Sequence, residues 1–231
     1  MFDARKPSPA VAALRPSEYT AALIQALRAE PRRVCGARAL EIGCGSGVVL
    51  AVLGGLGAAS LCGIDIEEDA IATGLALLRG LGHEAEIHRG DMWQPVAGRR
   101  FDLIVANLPH FPMDHFEVAG RLPTWSSGGI EGRELLDPFL EGLSDHLAVN
   151  GRALITHNAF VDAGRSRRIL ERYGFAMHVV RTVLVHIANE KIDLMTPSIL
   201  RAEEGRSIHR YGPHVFADMH IVEIAAAGAR G

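Results

Sequence analysis

Hydrophobic positions along the chain fall into runs of two alternating lengths. Strand-length runs occur at 38–42, 60–64, 85–88, 101–106, 152–156, 177–186 and 216–224. Between them, helix-length patterns occupy 18–29, 48–56, 68–81, 131–147 and 162–173. Several of the short runs, such as Leu103-Ile104-Val105-Ala106, are apolar at every position, as expected of parallel strands buried on both faces. Alternation of such strands with amphipathic helices predicts an α/β fold, a parallel sheet covered by helices on both faces. The punctuation agrees: Gly82 and Gly174 stand just past helix ends, and Asp162 stands just before a helix start. Residues 48–64 carry no charge, but the run is short for a membrane span and is broken by Gly54, Gly55 and Gly57. It reads as a buried helix, a turn and a buried strand.

Two segments exceed what this scheme needs. Residues 111–129 form a proline-containing loop with Trp125, and residues 189–213 interrupt the last two strands. The second mixes Lys191, Arg201, Arg206 and Arg210 with Ile192, Leu194, Ile199 and Leu200. Long excursions in a compact domain are commonly lids or binding loops. The organisation expected is one catalytic domain over 1–231, with residues 1–29 as an N-terminal cap and 189–213 as an insertion.

Composition narrows the class. A chain of 231 residues, 48% hydrophobic, fills one α/β domain. A net charge of −3 supplies no general attraction for nucleic acid, so only weak, nonspecific binding is expected. Cys35, Cys44 and Cys62 are odd in number and show no Cys-x-x-Cys spacing, which suits reduced thiols in the cytoplasm. The charged, proline-bearing N-terminus does not read as a signal peptide, and no membrane contact is expected.

Chemistry enters at Leu40-Glu41-Ile42-Gly43-Cys44-Gly45-Ser46-Gly47. A strand runs into alternate glycines and then into a helix, which lets a ligand approach bare backbone at a helix N-terminus. Asp65 follows 20 residues after Gly45, at the end of the next strand, where a carboxylate can hold two ribose hydroxyls. A dinucleotide fingerprint counted from Gly43 would need glycine at 48, which is Val48. This disfavours a nicotinamide dehydrogenase and points to a single nucleoside. The further strand ends carry Gly90-Asp91-Met92 and Asn107-Leu108-Pro109-His110. Asp91 is placed where it or its neighbouring backbone can meet an adenine amino group.

The Glu-x-Gly-x-Gly-x-Gly pattern resembles the first motif of class I S-adenosylmethionine (SAM) methyltransferases. Asn107-Leu108-Pro109-His110 resembles the Asn-Pro-Pro-Tyr motif of members that alkylate amide or exocyclic amino nitrogens. Arg15-Pro16-Ser17-Glu18 and Gly128-Gly129-Ile130-Glu131-Gly132 resemble further segments of the release-factor glutamine methyltransferase group. The resemblance covers about residues 15–175. It implies a Rossmann-like seven-stranded sheet whose final pair is antiparallel, SAM as cofactor, and contacts to it from Glu41, Gly43, Gly45, Gly47, Asp65, Ile66, Asp91, Met92 and Asn107. It also implies that Asn107 and the adjacent carbonyl aim a nitrogen lone pair, with Pro109 and His110 completing the catalytic loop. Three departures stand out. Leu108 replaces a stiffening proline, His110 replaces an aromatic platform, and only 14 residues precede Arg15, too few for that group's recognition domain.

The function expected is SAM-dependent N-methylation of a small molecule or an amino-acid side chain. Two alternatives are a SAM-consuming cyclase resembling azetidine-carboxylate synthases, releasing methylthioadenosine, and a non-catalytic subunit of the same fold. Tyr19, Phe111, Trp125 and His157 are expected to wall the substrate pocket. The cluster Asp114, His115 and His110 lacks His-x-x-His or Glu-x-x-His spacing, so no metal is expected.

Overall fold

The computed structural model describes residues 16–113 and 126–228. Helix α1 (Glu18–Ala29) opens with a capping box, in which Ser17 Oγ accepts from the Thr20 N–H and Thr20 Oγ1 accepts from the Ser17 N–H. It buries Ala22, Leu23 and Leu27, one face at helical spacing. Then follow β1 (Arg38–Ile42), α2 (Val48–Gly55), β2 (Ser60–Asp65), α3 (Glu68–Gly80), β3 (Glu86–Arg89) and β4 (Phe101–Ala106). The second half comprises α4 (Leu136–His146), β5 (Leu147–Asn158), α5 (Ala163–Arg172) and β6 (Phe175–Ile187). After the short helices α6 (Asn189–Leu194) and α7 (Pro197–Glu203), β7 (Ile208–Tyr211) and β8 (His214–Ala226) complete the chain.

All strands join one sheet in the order β3-β2-β1-β4-β5-β8-β6, with β7 attached to β8. Strands β1 to β5 pair in parallel, and β8 lies antiparallel between β5 and β6. From β1 the chain winds outward through β2 and β3, then returns to β4 on the other side of β1. Right-handed crossovers therefore place α2 and α3 on one face and α4 and α5 on the other. The reversal between β1 and β4 opens a crevice at the carboxyl ends of these strands, the usual ligand position of such sheets.

Two expectations change. The sheet has eight strands rather than seven, because the insertion contributes β7. β7 pairs with 214–217 of β8, while β5 pairs with 219–225 on the same side, so the insertion continues the row past the carboxyl end of β5. The helix expected over 131–147 starts only at Leu136. Gly129 and Gly132 have φ of +77° and +73°, and a Cβ at Gly132 would lie 2.7 Å from the His110 carbonyl oxygen. A left-handed turn at this close approach excludes a helix, whatever the apolar periodicity suggests.

Candidate active site

Three turns of backbone build the glycine loop. Gly43, Gly45 and Gly47 have φ of +70°, +50° and +75°, values costly for any side chain. Their surroundings differ. A Cβ at Gly47 would meet the Gly74 Cα at 2.8 Å, so this glycine lets α2 and α3 close on each other. A Cβ at Gly45 would meet nothing within 4 Å, leaving that face of the backbone open to a ligand. The loop is tied to β2: Gly43 and Cys44 donate to the Ile64 carbonyl, and Gly45 N–H donates to Asp65 Oδ2 at 2.8 Å. Asp65 Oδ1 accepts from the Glu67 N–H at 3.0 Å, so one carboxylate joins two backbone turns at the crevice. Gly90 N–H donates to the Asp65 carbonyl, which brings Gly90-Asp91-Met92 alongside. Asp91 is exposed, Met92 sits at φ +48°, and Ile66 is 62% exposed beside Asp65. An apolar side chain that open at a crevice lip suits an aromatic ring face.

Glu41 corrects one expectation. Its side chain is buried beneath the loop and accepts the Leu50 N–H at 3.1 Å, so it anchors the first turn of α2 and does not face the crevice. Burial, reinforced by the charge of Asp65, pushes its carboxyl well above the ordinary range, and the Leu50 bond opposes this.

Across the crevice, Asn107 follows β4 directly. Leu108 lies close to the loop, its Cδ2 3.5 Å from a Cβ built on Gly43. The Asn107 amide is held at both ends. Its Oδ1 accepts from Thr156 Oγ1 at 2.8 Å, and its Nδ2 reaches Thr20 Oγ1 at 3.4 Å. Neither threonine was singled out by sequence reasoning. The available signal was topological: if the fourth and fifth strands pair in parallel, residue 156 ends beside 107, and the observed Ala106–Ile155 register does this. Asn158 was also missed. Its Oδ1 accepts from Tyr19 OH at 2.8 Å, and its N–H donates to His110 Nε2 at 2.9 Å. Tyr19 thus lies beside the Asn107 loop, edge-on to His110 at 6.2 Å between ring centroids. Burial, against the opposing Asn158 bond, raises its phenol above the ordinary value.

His110 is 4% exposed, and both ring nitrogens meet backbone groups, Nδ1 the Leu108 carbonyl and Nε2 the Asn158 N–H. Burial lowers its pKa to about 4, with the Lys191 and Arg133 charges adding and the Leu108 bond opposing. A general base facing substrate is excluded by this geometry. His157 is another correction. It is fully buried, with Nδ1 on the Asn158 carbonyl and Nε2 on Ser166 Oγ, so it supports the site from behind. Burial, with His110 nearby, lowers its pKa to about 3. Phe111 is also buried, edge-on to Phe160 at 5.2 Å with Lys191 Nζ 5.7 Å from its ring centre, and so packs the loop more than it lines a pocket. Pro109 is partly exposed between these residues. Trp125, with Asp114 and His115, lies outside the described residues.

The insertion is fastened to this loop. Thr196 N–H donates to the Pro112 carbonyl at 2.8 Å, Thr196 Oγ1 donates to the Ile130 carbonyl, and Met113 bridges Met195. A separate cavity of about 620 Å³ lies within the insertion, lined in part by Ile192, Met195, Leu200 and Arg210. It holds none of the glycine-loop or Asn107 groups. Among the described residues, Cys62, Glu86 and His88 could in principle share a metal ion, but Arg99 already pairs with Glu86 at 2.9 Å. No described helix is long and apolar enough to cross a membrane.

A doubly wound sheet with an antiparallel β8 and a glycine loop open at Gly45 give the chain the fold of the class I methyltransferases, and its methyltransferase relatives support a SAM-dependent transferase. Residues 39–121 match the model of the methyltransferase domain family. The chain is 27% identical over 141 residues to a candidate protein N5-glutamine methyltransferase of Methanocaldococcus jannaschii, covering 61% of this chain and 71% of that one. It is 40% identical over 114 residues to the release factor glutamine methyltransferase of Rhodospirillum rubrum, covering 46% of this chain and 34% of that one. The match thus spans about a third of that enzyme's length. Among solved structures, the Encephalitozoon cuniculi Mtq2–Trm112 complex, responsible for methylation of the eRF1 translation termination factor, has a similar fold. Its TM-score is 0.59 at 16% identity, covering 92% of this chain and 98% of that one.

Proposed function

We propose that this chain methylates the amide or amino nitrogen of an amino-acid side chain within a protein or peptide, with glutamine as the leading acceptor. The observation that carries this reading is the Asn107 amide, fixed by Thr156 and Thr20 directly after β4, beside the strand end from which the glycine loop starts. The names of the similar glutamine methyltransferases support the same acceptor class, and a net charge of −3 gives no reason to prefer nucleic acid.

SAM supplies an electrophilic methyl group on a sulfonium. Gly45 and its neighbours would cradle its amino-acid end, Asp65 would accept from the ribose hydroxyls, Ile66 and Met92 would flank the adenine, and Asp91 would meet its amino group. The acceptor nitrogen of an amide is a poor nucleophile because its lone pair is delocalised. Asn107 Oδ1 and the Leu108 carbonyl accept its N–H groups, which turns the lone pair toward the methyl carbon. Transfer would form the N–C bond as the methyl carbon's bond to sulfur breaks, with that electron pair left on sulfur and the nitrogen's proton released to water. Orientation of this kind can contribute up to about 7–11 kcal/mol. Pro109 stiffens the loop, and Tyr19 closes it from α1.

The test incubates the purified protein with SAM, alone and then with a glutamine-containing peptide or the protein fraction of a cell extract, and follows products by mass spectrometry. Adenosylhomocysteine formed only with acceptor, with a 14-dalton gain on a glutamine side chain, is the expected result. Methylthioadenosine formed without acceptor would replace this reading with the cyclase.

A further inference from the structure

We propose that His110 is a positioning residue that aims the Leu108 carbonyl at the acceptor nitrogen, by hydrogen bonding rather than by the ring closure that a proline at 108 would provide. The inference rests on the methyl-transfer reading above and assigns this residue its part in it.

The argument begins with a proton. Asn158 N–H can only donate, and it points at His110 Nε2 at 2.9 Å, so Nε2 carries no hydrogen. In a neutral imidazole the hydrogen then sits on Nδ1, which faces the Leu108 carbonyl oxygen. The tautomer is thus dictated by backbone on one side, and the ring becomes a strut from the end of β5 to the residue after Asn107. A carbonyl oxygen has a second lone pair, which stays available to an acceptor N–H.

Both ends of the strut are anchored. At one end, the Asn158 carbonyl meets His157 Nδ1, His157 Nε2 meets Ser166 Oγ, and Arg133 Nη2 donates to that same hydroxyl at 3.0 Å. Tyr19 holds the Asn158 side chain at 2.8 Å. At the other end, a Cβ on Gly128 would lie 2.7 Å from the His110 Cα, and one on Gly132 would lie 2.7 Å from its carbonyl oxygen. The backbone at 110 therefore has no room to drift. Leu108, by contrast, lacks a ring to restrict φ. The two departures from the Asn-Pro-Pro-Tyr pattern thus offset each other: a tyrosine carries no ring nitrogen that could reach the carbonyl two residues back.

The experiment has two arms. Nitrogen-15 NMR of the wild-type imidazoles, with His110 identified by its loss in a variant, should show hydrogen on Nδ1 and none on Nε2. The opposite tautomer overturns the proposal. The second arm separates the two bonds. His110→Asn keeps an amide donor near the Nδ1 position, whereas His110→Gln places its amide near Nε2 and loses the Leu108 bond. With SAM and a glutamine-containing peptide, His110→Asn should keep kcat within about threefold of wild type. His110→Gln should lose about tenfold or more in kcat, by comparison with loss of a preorganised polar contact, while KM and the SAM Kd stay within about threefold. Adding Leu108→Pro to His110→Gln should recover most of that loss. Equal losses in the Asn and Gln variants, or no recovery with Leu108→Pro, would overturn the positioning role. A wild type that forms the Nδ1–H tautomer yet methylates no acceptor defeats the proposed function instead.

Discussion

Asp65 holds the glycine loop and, in the proposed role, the cofactor ribose, so its removal should register in two separable measurements. In the structure its carboxylate accepts from Gly45 N–H at 2.8 Å and from Glu67 N–H at 3.0 Å. Hydrogen bonds to a charged group contribute about 1.5–3 kcal/mol each, and the lower end applies because Asp65 is only partly buried. Asp65→Ala therefore removes two such bonds from the cofactor-free protein, at a cost of about 2–3 kcal/mol once water replaces part of each. Asp65→Asn keeps one acceptor oxygen and loses the charge, for about half of that cost. Binding adds a second loss, because the ribose hydroxyls lose a charged acceptor. A further 1.5–3 kcal/mol corresponds to about a 10- to 150-fold rise in the SAM Kd. Denaturant unfolding reads the first loss and titration calorimetry the second. A folded Asp65→Ala variant that binds SAM as tightly as wild type would refute the ribose assignment. One that unfolds at the wild-type denaturant concentration would refute the loop-tying role.

Further outcomes follow from the same geometry. Asn107→Ala should bind SAM almost normally yet lose about 10²- to 10³-fold in kcat, by analogy with removal of one preorganised polar contact; full turnover would end the nitrogen-orientation mechanism. Thr156→Val, which frees the Asn107 amide to rotate, should lose about tenfold in kcat with the SAM Kd unchanged, as measured by steady-state kinetics and calorimetry. Gly47→Ala combines a φ of +75° with a Cβ 2.8 Å from the Gly74 backbone, and should destabilise the fold by about 2–4 kcal/mol in chemical unfolding. Lastly, His110 and His157 are held neutral by burial, with pKa lowered to about 4 and about 3 against an ordinary value of 6.5. The unfolded chain binds protons at these sites below pH 6.5 while the folded chain does not. Stability is therefore unaffected by them above that pH and falls by about 1.4 kcal/mol per pH unit for each histidine as pH drops toward 4. Unfolding midpoints measured from pH 7 to 4.5 should show this slope, and His157→Gln should reduce it.

The parallel core was legible in the chain because burial on both faces leaves a local mark: every position of Leu103-Ile104-Val105-Ala106 is apolar, and the strand over 101–106 stands where the pattern placed it. The glycine loop was legible for a similar reason. Positive φ at Gly43, Gly45 and Gly47 is a demand of single residues, and only glycine meets it without strain. What the sequence could not settle by itself was partnership across the fold. Glu41, Phe111 and His157 carry the right chemistry for a site, but whether each faces the crevice or lies beneath it depends on register and on what packs above. Thr20 and Thr156, 136 positions apart, look like an ordinary helix residue and an ordinary strand residue until the packing of α1 sets the first, and parallel pairing of β4 with β5 the second, against Asn107. The insertion drew notice by its composition, yet its place past the end of β5 was decided by the free edge that β8 offers beyond Met219. Local conformational demands are written residue by residue. The hydrogen-bond partners that turn a loop into a site are chosen only when strands from distant parts of the chain align.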